Sequence, residues 1–210
     1  MGTVTDKTIA HVCLASYASP ALKWDRIWGA NAGTCGIYAC LAGNVLCFRG
    51  SVTVEDWLRD LDAVAIDDPY LGGLHAGFAE GMRQFYEATI QLLHPDTIVC
   101  GHSLGAARAL IMAGYMAQGG LKPKAVITFG SPRPAFEMLE DQLSLVTIRS
   151  YKNRCDPVTY VPVPLYPLLR YMHPRDLIPI DAKPSFNDLE PLADHHIELY
   201  AEGVPETEIA

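Results

Sequence analysis

Three things are scarce in this 210-residue chain: charge, long apolar runs and paired cysteines. Charged side chains make up 19% of it against 50% hydrophobic ones, a balance that rules out intrinsic disorder and supplies a large core. Charges or prolines interrupt every apolar stretch before it reaches the roughly 18 residues of a membrane-spanning helix. Basic residues are outnumbered 24 to 16, and the net charge of -8 repels phosphate backbones, which argues against nucleic acid as a partner. Six cysteines, at 13, 35, 40, 47, 100 and 155, include no Cys-x-x-Cys pair and read as reduced, buried small hydrophobes. Residues 1–7 hold no basic region followed by an apolar stretch, so the expected location is the cytoplasm. The length suits a single domain, 1–210, around one core.

What is present is a sequence of periodic segments. Ile9, Val12, Cys13 and Ser16 recur at helical spacing behind Thr5 or Asp6, which predicts a first helix over 6–17. Apolar runs at 35–41 and 45–48 flank Ala42-Gly43-Asn44 and predict a hairpin. Helical spacing returns in Val54, Trp57, Leu58 and Leu61, and over a longer span at 78–93. A buried strand at 97–100, a helix at 104–118 and a strand at 125–129 follow, then a helix near 136–143 and a strand at 145–148. This alternation predicts an α/β fold with a mostly parallel sheet flanked by helices. The proline-rich stretch 157–184 predicts an irregular segment, and Asp194 opens a last helix that turns Ile197, Tyr200 and Val204 inward.

Chemistry concentrates at Gly101-His102-Ser103-Leu104-Gly105, between a predicted strand and a predicted helix. A sharp turn there strains the serine, presents its hydroxyl as an exposed nucleophile and leaves the Leu104 amide at a helix N-terminus, ready for an oxyanion. A serine of ordinary acidity needs a base, and the base needs an acid to orient it. Downstream candidates are Asp156 and, behind it, Asp176 for the acid, and His173, His195 and His196 for the base. Asp156 follows an apolar strand and stands first. An Asp194-His195-His196 metal cluster lacks a convincing further ligand.

With these residues in place, the chain resembles the class 3 lipases. The resemblance rests on Phe48-Arg49-Gly50-Ser51, Asp56-Trp57-Leu58-Arg59-Asp60-Leu61, His75-Ala76-Gly77-Phe78, the serine turn, Phe129-Gly130-Ser131-Pro132-Arg133, and Asp156-Pro157-Val158 with Pro162, all in family order. It implies the α/β-hydrolase fold, Ser103 as nucleophile, Asp156 as orienting acid, and Ser51 with Leu104 as oxyanion hole. For the base, His195 fits a His-x-hydrophobic-x-x-Tyr ending, whereas a shorter fungal-type spacing selects His196. Hydrolysis of acylglycerols or related lipid esters through an acyl-enzyme is implied, with no metal or organic cofactor and with transient contact at a lipid interface. A phospholipase, a small-ester carboxylesterase, an acyltransferase and a non-catalytic lipid-binding scaffold stand as alternatives. The short stretch between Ser51 and His75 leaves little room for a long amphipathic lid, which argues against interfacial activation. The segment 160–172 is an equal candidate for an acyl pocket and for a buried loop.

Overall fold

The computed structural model describes residues 3–17, 23–29, 37–51, 64–165, 167–183 and 192–210. The helical spacing at Val54 to Leu61, the motif at 56–61, Cys35 and Tyr166 lie outside them. Helix α1 (Asp6–Ala15) is N-capped by Thr5, whose hydroxyl accepts from the Thr8 amide. Strand β1 (Arg26–Trp28) pairs antiparallel with β2 (Ala39–Ala42), which turns at Gly43 and Asn44 into β3 (Val45–Phe48). Gly43 takes φ 56°, the left-handed geometry that a tight hairpin demands.

From β3 onward the main sheet is parallel, through β6 (Ile98–His102), β7 (Ala125–Phe129), β8 (Ile148–Asn153) and β9 (Leu177–Ile180). The seven strands run in the order β1-β2-β3-β6-β7-β8-β9. The period of two then sorts the side chains: Leu46, Phe48, Val99 and Val126 join one apolar layer, and Cys47, Cys100 and Ile127 join the other. Helix α4 (Leu104–Gln118) fills the first layer together with α3 (Met82–Thr89) and α5 (Glu137–Gln142), while α1 and α6 (Ile197–Gly203) cover the second. This is the expected mostly parallel sheet flanked by helices.

Several elements differ from the sequence reading. The span 78–93 is not one helix. It divides into α2 (Ala76–Ala79), α3 and a 3₁₀ turn, Ile90–Leu92, because Gly81 takes φ 71° between the first two. The strand expected at 145–148 begins only at Ile148. Leu145, 75% exposed, lies in a turn, and Arg149 enters the sheet because Asp6 binds its guanidinium through both oxygens. A separate hairpin, β4 (Ala65–Asp68) with β5 (Gly72–His75), carried too little apolar alternation to be read. Strand β9 hides in the proline-rich segment, where Pro179 is tolerated because β9 is an edge strand. Asp194 does not cap the last helix; it accepts from the Cys155 amide at 3.2 Å, and α6 starts after His196.

Candidate active site

Ser103 stands where β6 gives way to α4, with φ 58° and ψ -130°, a conformation that L residues avoid. Its amide donates to the Phe129 carbonyl at 3.0 Å, and its carbonyl accepts from the Ala106 amide at 2.9 Å, so the strain is held from both sides. A Cβ at Gly101 would collide with the carbonyl of Gly105, and one at Gly105 with the carbonyl of Phe48. Both glycines of the motif are therefore required by packing. The hydroxyl, expected to be exposed, is instead fully buried. Gly50, at the end of the β2–β3 hairpin, passes so close that a Cβ there would fall 2.9 Å from that of Ser103. Absence of a side chain lets the hairpin end close over the turn.

Asp156 follows β8 and is itself fully buried. Its Oδ1 accepts from the Val158 amide at 2.9 Å and caps the 3₁₀ turn Pro157–Tyr160; its Oδ2 accepts from the Tyr200 hydroxyl at 2.5 Å and lies 2.8 Å from His195 Nδ1. A carboxylate only accepts, so Nδ1 is the donor to it, and in a neutral ring Nε2 is the acceptor nitrogen. Burial pushes the Tyr200 phenol well above its ordinary pKa, so it stays a donor. Ser103 Oγ and His195 Nε2 are both buried and have no hydrogen-bond partner among the described residues. An unpaired buried polar atom costs about 1–3 kcal/mol, and groups kept for a reacting partner are one reason a protein bears that cost.

The remaining candidates separate cleanly. His196 and Asp176 are exposed, and His173 Nε2 bonds the Thr159 carbonyl at 2.9 Å. Leu104 is the first residue of α4, where amides have no partner within the helix, and Ser51 directly follows Gly50.

Sequence reasoning missed four supporting residues. Gly130 ends β7 with φ 56°, and a Cβ there would fall 2.7 Å from Asp156 Oδ2 and 2.9 Å from His195 Nδ1. Tyr200 was legible as a core residue and as the tyrosine of the His-x-hydrophobic-x-x-Tyr ending, but not as a donor to Asp156. His102 and Tyr17 complete a buried relay: His102 Nε2 donates to the His195 carbonyl at 2.8 Å, Tyr17 donates to His102 Nδ1 at 2.9 Å, and the Gly50 amide donates to the Tyr17 oxygen at 3.0 Å. The carbonyl can only accept and the amide only donate, and a neutral ring whose Nε2 carries the proton accepts from Tyr17 at Nδ1. Desolvation first, then the neighbouring His195, hold the His102 pKa well below the usual histidine value, so it works as a neutral ring. The only sequence signal was a histidine inside the serine turn.

A strained serine between strand and helix, with an aspartate-held imidazole at the carboxyl edge of a parallel sheet, defines the α/β-hydrolase class. The model of the lipase (class 3) family matches residues 45–180, and the chain belongs to that family. It is 28% identical over 130 residues to a secreted mono- and diacylglycerol lipase of Fusarium solani, covering 56% of this chain and 39% of that one. It is 27% identical over 202 residues to phospholipase A1-II 1 of rice, Oryza sativa, covering 78% and 50%. The chain thus spans half or less of the length of these relatives. Among solved structures, the Rhizomucor miehei lipase propeptide complex superposes with a TM-score of 0.60 at 22% identity over 77% of this chain and 66% of that one. Lipase II from Rhizopus niveus gives 0.61 at 20% identity over 75% and 73%.

Proposed function

We propose that this protein hydrolyses carboxylic esters of acylglycerols or related lipids, with Ser103 as nucleophile, His195 as base and Asp156 as the acid that orients it. One observation carries the reading: a buried serine oxygen and a buried imidazole nitrogen are both unpaired among the described residues, while the other imidazole nitrogen is fixed by a carboxylate that accepts three hydrogen bonds. His195 Nε2 takes the proton as Ser103 Oγ adds to the ester carbonyl. The Leu104 amide and Ser51 receive the oxyanion. The imidazolium then protonates the departing alcohol, and water deprotonated by the same ring releases the fatty acid. Fungal relatives named as lipases and a plant relative named as a phospholipase A1 support a glycerol-ester substrate.

Ser103 has no exposed surface, so the atoms that cover it must withdraw before an ester carbonyl can reach Oγ. Ser103→Ala is expected to lower kcat on a soluble p-nitrophenyl ester by on the order of 10⁴–10⁶-fold and to abolish labelling by a fluorophosphonate. Labelling at another residue would move the nucleophile. Rates on emulsified triacylglycerol, phospholipid and soluble ester assign the head group.

A further inference from the structure

We propose that Cys13, Cys47 and Cys100 form a three-thiol binding site for a trivalent thiophile of the arsenite class. Their sulfurs come from α1, β3 and β6 and all lie within 4.8 Å of one another; those of Cys13 and Cys47 are 3.7 Å apart. A centre bound at about 2.3 Å, an ordinary metal–thiolate length, needs sulfurs about 3.3 Å apart when pyramidal and about 4.0 Å when trigonal. The pair with the known separation already sits inside that window, and the others need to draw in by at most about 1.5 Å to reach even its lower edge.

Charge and ligand number select the occupant. All three thiols are buried in an apolar layer with Ile9, Ile98, Ala125 and Ile127. No fourth histidine, cysteine or carboxylate joins them among the described residues. Structural zinc takes four ligands, and three thiolates around copper(I) would bury two net negative charges without a counterion. Three thiolates around arsenic(III) are neutral. The exchange also balances without any base or oxidant: each S–H proton passes to an As–OH group, which leaves as water while an As–S bond forms. Arsenous acid and three thiols give the trithiolate and three waters, with arsenic trivalent throughout.

Occupation would act on the catalytic region from beneath. Cys47 precedes Gly50 by three residues, Cys100 precedes Ser103 by three, and Cys13 precedes Tyr17 by four. One atom would fasten the strand of the nucleophile to the strand of the hairpin end and to the helix that leads into the relay tyrosine.

The test is non-denaturing mass spectrometry of the full chain incubated with sodium arsenite, with X-ray absorption at the arsenic edge. The expected product is one arsenic per chain, three hydrogens lost and three sulfurs bound. Cys13→Ala, Cys47→Ala and Cys100→Ala are each expected to abolish it at arsenite concentrations that saturate the parent, while Cys40→Ala and Cys155→Ala keep it. Should a variant fail to fold, the parent decides: alkylation after unfolding in arsenite, followed by peptide mapping, is expected to find Cys13, Cys47 and Cys100 protected. Adducts with fewer than three As–S bonds, protection of Cys40 or Cys155 instead, or no adduct even after refolding in arsenite would overturn the proposal. These readouts do not depend on ester turnover.

Discussion

Tyr17 illustrates how much of the candidate site lies in residues without chemistry of their own. Its hydroxyl joins the Gly50 amide to His102, and through that ring to the backbone of His195. Tyr17→Phe would leave two buried groups unpaired, at a cost of about 1–3 kcal/mol. Because Gly50 leads into Ser51, the expected result is a kcat lowered roughly tenfold on a soluble ester with KM nearly unchanged, the mark of an interaction used in the transition state. Steady-state kinetics on the variant check it, and a KM effect alone would make the tyrosine a binding residue. At this scale the sequence spoke unevenly. Ser103 was legible because its glycines are packing requirements that leave a written pattern. The roles of Gly130 and Tyr200 were not, although both stand in family motifs, since a glycine after a strand and a tyrosine on an apolar helix face have ordinary explanations until the fold brings both against Asp156.

Elements with one clear period were legible to the residue: the helix at 104–118 and the strand at 125–129 are observed with those bounds. Elements that fail are those in which tertiary contacts override local pattern. Strand β8 carries Arg149 and Lys152, charges that mask its alternation until Asp6 and Tyr160 meet them. Strand β9 contains a proline that only an edge position permits. The segment between the Pro157–Tyr160 turn and β9 divides in the same way. Tyr171 is buried, whereas Val163, Leu165 and Leu168 are 62%, 58% and 83% exposed, with Leu165 and Leu169 bridged across the turn that bears Leu168. An apolar turn tip of this kind is suited to enter a lipid surface. Leu168→Ser is expected to lower turnover of an emulsified ester severalfold while leaving a soluble ester untouched, and equal loss on both substrates would return the segment to a purely structural role.

Across the whole molecule, stability is anchored where the first helix meets the sheet. Asp6 is fully buried, accepts from both Arg149 and Tyr151, and sits in the first turn of α1, where a negative charge is favoured. Asp6→Ala leaves the guanidinium without its partner and is expected to cost about 3–5 kcal/mol, read as a lowered urea midpoint. Acid should weaken the fold by a separate route. Burial depresses the pKa of both His102 and His173, so below the unfolded-state value of about 6.5 the unfolded chain binds protons that the native one refuses. Their contribution is complete above that pH and declines as pH falls, by up to about 1.4 kcal/mol per unit for each ring. Urea unfolding at pH 7.5 and pH 5.5 measures it, and a midpoint that rises in acid would contradict it. In the mechanism proposed above, nucleophile and acid precede the base along the chain, so a polypeptide stalled ahead of His195 would lack its base and be chemically silent toward esters.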